Sequence, residues 1–137
     1  MLLEKYVENF DEAAFVKEFM KEKQIPRKSD AIKALRRMIR EEGYYQTKIM
    51  NAIRKEYPRA AVWKNTQGSY STAGTPDLSV IVGGIFFGFE VKRPVLGEVS
   101  KLQLEAIEKI RKAGGSAAVV RWPEEALAMI RERMAGE

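Results

Sequence analysis

Between Thr75 and Lys92 the chain reads as two runs of β-branched and aromatic residues joined at Gly83-Gly84. A Gly-Gly pair between such runs signals a two-residue β-hairpin, because the turn needs positive φ that glycine adopts without penalty. With Val82 opposite Ile85, every other pairing follows by counting outward, and Asp77 falls directly opposite Glu90. Alternate residues share a face, so Leu78, Val80, Val82, Ile85, Phe87, Phe89 and Val91 line one side of the ribbon. Asp77, Ser79, Gly88, Glu90 and Lys92 line the other. Carboxylates opposed in this way, with Cβ atoms about 5 Å apart, repel each other. A divalent cation bound by hard oxygen ligands relieves the repulsion, so the ribbon predicts a metal site.

Composition narrows the ion. The chain has no cysteine and no histidine, which excludes disulfides, thiolate zinc sites and imidazole as a general base or ligand. Oxygen donors favour magnesium, manganese or calcium. At 137 residues the chain has room for one full core. It contains no apolar run of the roughly 18 residues that span a bilayer, and Met1-Leu2-Leu3-Glu4-Lys5 lacks a signal-peptide layout. The expectation is a cytoplasmic protein without a membrane segment or small organic cofactor.

Charge is unevenly placed. Residues 27–40 hold six basic groups and one acidic group, a net +5 equal to that of the whole chain. Such concentration suggests a polyanionic partner. Apolar spacing predicts a helix from Phe10 to about Lys23, ended by Ile25-Pro26, and a second, capped by Ser29, over 29–40. On that second helix Lys33, Arg36, Arg37 and Arg40 share one face at i, i+3, i+4 and i+7. Two readings of this row are open: a solvated surface, or contact with phosphates.

Gly43 is either the stop of that helix or a tolerated kink in it. A third helix follows from about Tyr44 to Glu56, closed by Pro58, and then a strand over Ala60–Lys64. A polar loop over Asn65–Thr75 leads into the hairpin. Next come a helix from Ser100 to about Ala113, an apolar strand over Ser116–Arg121 buried on both faces, and a last helix opened by Pro123. From Glu42 onward the order is α-β-β-β-α-β-α, which gives an α/β fold with a mixed sheet flanked by helices. Residues 1–40 form a helical N-terminal extension and 41–137 the principal domain. Trp63 and Trp122 are read as core residues.

The strings Gly74-Thr75-Pro76-Asp77-Leu78, Glu90-Val91-Lys92-Arg93, Gly97 and Ser100-Lys101-Leu102-Gln103 resemble the virus-type replication-repair nuclease (VRR-NUC) domain of the PD-(D/E)xK superfamily. The resemblance runs from about Glu41 to Arg121. It implies a restriction-endonuclease-like fold and a metal-dependent endonuclease acting on DNA in replication or repair. Asp77, Glu90 and the backbone carbonyl of Val91 would hold Mg²⁺ or Mn²⁺, and Lys92 would assist attack on the phosphate. A homodimer that cuts branched DNA such as four-way junctions is also implied. The family's Glu-x-x-x-Gln opening matches Glu42 and Gln46, with Glu41 a competitor for the acidic position.

Each candidate also has a plainer reading. Asp77 after Pro76 fits a strand-start turn, Glu90 a salt bridge with Lys92, and Lys92 an edge-blunting surface lysine. Ser100-x-x-Gln103 fits a capping box, although Gln103 shares its helix face with Ile107 and Ile110 and so points inward. Lys64, Ser100 and the basic row are the candidate DNA contacts. Alternatives to the nuclease are a non-catalytic DNA-binding module and a restriction-type or RNA-directed enzyme.

Overall fold

A computed structural model describes residues 11–65 and 75–136. Most of the polar loop, with Tyr70, lies outside the described residues. The elements are α1 (Glu12–Lys23), α2 (Lys28–Met38), α3 (Glu42–Glu56), β1 (Ala61–Lys64), β2 (Leu78–Val82), β3 (Ile85–Val91), α4 (Lys101–Lys112), β4 (Ser116–Val120) and α5 (Pro123–Ala135). The four strands form one sheet in the order β1-β2-β3-β4. The first three run antiparallel, and β4 joins β3 in parallel after the α4 crossover, so the sheet is mixed as expected.

The hairpin register is the one that the Gly-Gly turn dictates: Val82 pairs with Ile85 and Leu78 with Phe89. Gly83 and Gly84 both take positive φ, 56° and 82°, the condition that selected glycine there. Leu78, Val80, Phe87, Phe89 and Val91 are fully buried and Val82 nearly so. They share one core cluster with Tyr45, Ile49 and Ile53 of α3 and Ala126, Leu127 and Ile130 of α5. Ile110 of α4 lies over Gly88 on the opposite, polar face. The sheet is therefore layered between helices, and its acidic residues sit at the end where β2 begins and β3 finishes.

Several boundaries differ from expectation, each for a local reason. Asp11 caps α1, its carboxylate accepting from Ala14 N at 3.1 Å. Ser29 lies inside α2, whose N-cap is Arg27 without a side-chain cap bond. That helix stops at Met38, because Ile39 turns extended (ψ 130°) and Arg40 N donates to the Tyr45 hydroxyl at 3.3 Å. Gly43 is neither stop nor kink but sits in the first turn of α3. Trp63 is 43% exposed rather than core, because it pairs with Ser79 on the edge strand β1 and so shares the polar face with Asp77. Ala118 and Val119 of β4 are only half-buried, since β4 is the other edge among the described strands.

The two N-terminal helices contribute to the same core: Phe15, Val16, Phe19, Ala31, Leu35 and Ile39 belong to the cluster that holds the hairpin. Phe19 is 2% exposed. Phe19→Ala should therefore cost about 3–5 kcal/mol in urea unfolding, whereas Lys17→Ala on the exposed side of α1 leaves stability unchanged.

Candidate metal centre

The register carries Asp77, one residue before β2, to a place opposite Glu90, the penultimate residue of β3. Both are buried, at 6% and 3% exposure. Asp77 Oδ2 accepts from the backbone N–H of Val91 at 2.8 Å, which sets the Val91 peptide beside the carboxylate. Glu90 Oε1 accepts from Gln103 Nε2 at 2.8 Å. Glu42, the first residue of α3, completes the group: one oxygen of each carboxyl lies within 4.8 Å of the other two. Glu41, the N-cap, is exposed.

Three acids this close cannot all be ionised cheaply without a cation. Burial, then the charge of Asp77 and a hydrogen bond to it, push Glu90 up to about 8; Lys92 acts against the rise and Glu42 adds to it. Glu42 is likewise raised, first by burial and then by Asp77, while Lys92 and Arg93 pull it down. Without a metal, burial and the neighbouring acids thus favour the protonated form of Glu90, hydrogen-bonded to Asp77.

The donor set fits a hard divalent cation. All its side-chain donors are carboxylate oxygens, and they converge on a volume of ionic size at the end of the sheet. One turn along α3 from Glu42, the Oε1 of buried Gln46 is an acceptor with no hydrogen-bond partner among the described residues. A buried acceptor of this kind is ordinarily satisfied by water or an ion.

Gln103 both caps its helix and reaches Glu90. Its side-chain oxygen accepts from Ser100 N at 2.9 Å and its backbone N–H donates to Ser100 Oγ at 3.1 Å, a complete capping box, while its side-chain Nε2 donates to Glu90. Ser100 itself is exposed and committed to the cap. Half-buried Lys92 follows β3 and continues the ladder, donating N–H to Val120 O at 3.1 Å. Lys64 is exposed at the end of β1, opposite Leu78.

Lys33, Arg36 and Arg37 are exposed on α2. Arg40 leaves their row, because it lies beyond the helix with its guanidinium 4.9 Å from the centre of the Tyr44 ring. Lys48 stands over the rings of both Tyr44 and Trp122, at 5.5 and 5.3 Å.

Sequence reasoning overlooked Asn65. Its backbone N–H donates to Asp77 O at 2.8 Å, and its Nδ2 donates to Pro76 O at 2.7 Å and Ser79 Oγ at 2.8 Å, so it holds the strand start that carries Asp77. The only signal for it was a position just after β1, and that becomes informative once the β1–β2 register is known.

A solved VRR_NUC domain superposes on this chain with a TM-score of 0.50 and 27% identity, covering 66% of this chain and 94% of that one. This chain has the VRR-NUC fold. The resemblance read from Pro76-Asp77 and Glu90-Val91-Lys92 is thus matched by architecture. Hjc, a Holliday junction resolvase from the archaeal hyperthermophile Archaeoglobus fulgidus, also aligns, at 20% identity over 58% of this chain and 67% of that one, with a TM-score of 0.48. No protein-family model and no curated protein matches the sequence.

The cluster makes stability depend on pH. Folded, metal-free protein holds the Glu90 proton up to about 8, whereas an unfolded glutamate releases it near its ordinary 4.5. Folding thus retains a proton across that window, and metal-free stability falls as pH rises through it. Urea melts in EDTA at about pH 5 and about pH 8 should show this fall, and Glu90→Gln should flatten it.

Proposed function

We propose that this chain is a metal-dependent endonuclease that hydrolyses DNA phosphodiesters. The observation that carries the reading is the convergence of Glu42, Asp77 and Glu90 at one end of the sheet, with Lys92 acting electrostatically on the two glutamates. Asp77, Glu90 and the Val91 carbonyl would hold Mg²⁺ or Mn²⁺, and Glu42 would add a third carboxylate. The ion, when bound, supplies positive charge to the phosphate and acidifies a water. Gln103 fixes the Glu90 carboxylate from the α4 side. Lys92 orients the attacking water and stabilises charge that grows on the phosphate in the transition state, where an ammonium in a partly desolvated site has its greatest effect. The substrate is branched DNA, and the active form is a homodimer, because symmetric cutting of two strands needs two sites related by a two-fold axis. Residues 41–137 carry the nuclease, and the chain before them is its N-terminal extension.

A cleavage panel tests this reading: linear duplex, single strand, flap and four-way junction, each with Mg²⁺, Mn²⁺ or EDTA. Cleavage should need the metal, be lost in Asp77→Ala and Glu90→Ala, and favour the junction. Lys92→Ala should lower turnover by about 10²-fold or more with DNA affinity retained. Undiminished cutting in EDTA, or by Asp77→Ala, would refute the metal mechanism. Binding without cleavage of any substrate would favour a DNA-binding module.

The basic surface makes a separate prediction. If Lys33, Arg36, Arg37 and Arg40 contact phosphates, neutralising all four should weaken binding to every DNA. It should also reduce the salt slope by up to about one unit per lost contact, without moving the cleavage position. An unchanged slope returns these residues to a solvated surface.

A further inference from the structure

Lys92 directly follows β3, and from Arg93 to Ser100 the chain lies in no regular element; its first part, Arg93–Gly97, forms a tight loop. Backbone alone gives that segment little support: Gly97 N donates to Arg93 O at 3.1 Å, and Leu96 N to Pro94 O at 2.6 Å. Two side chains from distant parts of the chain do the rest. Arg121, immediately after β4, donates from Nη1 to Arg93 O at 2.6 Å and to Gly97 O at 3.1 Å, gripping both ends of the loop. Glu12, the first residue of α1, accepts from Val95 N at 3.0 Å and pairs with Arg121 Nε at 3.2 Å. Arg121 is 18% exposed at its side chain, so these charge-assisted bonds are only partly screened.

The loop so held is tight against Lys92. A Cβ on Gly97 would stand 2.8 Å from Lys92 Cβ and 2.7 Å from Arg93 N, so only glycine allows the two ends to close on each other. Val95, at the point that Glu12 grips, has φ 64°, a left-handed conformation that a β-branched residue avoids. Such a residue persists only where its surroundings over-determine it, and such sites cluster where geometry is functional. Arg93, whose carbonyl Arg121 holds, is with Lys92 one of the cations acting on Glu42.

We infer that Arg121 and Glu12 are positioning residues for Lys92, and that the N-terminal helix α1 serves the candidate active site through Glu12. The inference rests on the nuclease reading of Lys92. An ordinary structural tie would alter melting but not turnover. A positioning role links motion of the loop to turnover specifically.

The test compares Arg121→Gln, Arg121→Lys, Glu12→Ala, Glu12→Gln and Lys92→Ala in the full chain. Turnover and KM are measured on a four-way junction with Mn²⁺, together with melting temperature and amide exchange at Val95 and Gly97. Arg121→Gln should lower kcat by about 10- to 100-fold with KM little changed, and should speed exchange at both amides. Arg121→Lys should recover part of the loss. Glu12→Ala should show a smaller loss, which Glu12→Gln, retaining the oxygen that accepts from Val95, should largely restore. The ion pair of partly exposed Glu12 adds little to overall stability, so its variants give a folded test even if Arg121→Gln does not fold. Wild-type turnover in Glu12→Ala and Arg121→Lys despite faster exchange overturns the inference, as does lost turnover without faster exchange. If Lys92→Ala itself turns over normally, the nuclease reading of Lys92 has failed and takes the inference with it. If Lys92→Ala is inactive while the Arg121 and Glu12 variants are not, only the inference has failed.

Discussion

The repulsion between Asp77 and Glu90 is the constraint around which one end of this molecule is arranged. A two-residue turn leaves the hairpin no freedom of register, so the two acids must meet across the ladder. Neither can turn to solvent, because both are buried. What surrounds them therefore donates or carries positive charge: the Val91 N–H to Asp77, the Gln103 amide to Glu90, Lys92 beside both glutamates and Arg93 near Glu42. Glu42 runs against this pattern. A third carboxylate added to an overcharged pair raises the metal-free cost, and that makes sense where a dication is the intended occupant.

The layers converge at the same place. Glu42 is the first residue of α3 and Gln103 the third of α4, so helices from two sides of the sheet direct their N-termini at the cluster. Helix N-termini carry partial positive charge and free N–H groups, which favours carboxylates and, equally, a phosphate oxygen approaching them. The capping box at Ser100 joins local structure to the site: the Gln103 amide that closes the helix end also holds Glu90. A single residue thus sets both where α4 begins and how one carboxylate is oriented.

What the sequence revealed divides along the same physical line. Contacts governed by short chain connections were legible: the hairpin, its two faces, the opposed acids, the capping box and the order of elements. Glu42 was legible only as one of two adjacent glutamates, since a helix start shifted by one residue turns the other inward. Trp63 was misread because β1 and β2 are joined by a long polar segment, which leaves their register, and so the face of every β1 residue, undetermined by counting. The end of α2 was misread because it depends on a hydroxyl from the next helix, Tyr45, accepting from Arg40 N. Asn65, Arg121 and Glu12 act across 11 residues of chain or more, where no local pattern records the contact.

The same division bears on the N-terminal helices. By charge alone the segment around Arg27–Arg40 is a basic arm, and an arm needs no fixed seat on the domain. Yet Phe15, Val16, Phe19, Ala31 and Leu35 share the core cluster of the hairpin that carries the acids. A buried carboxylate cluster subtracts from a folding free energy that is small to begin with, and apolar burial elsewhere must offset it. The N-terminal helices add that burial, and Glu12 ties their first residue to the loop after Lys92. Their basic surface is thereby held in a fixed relation to the acids.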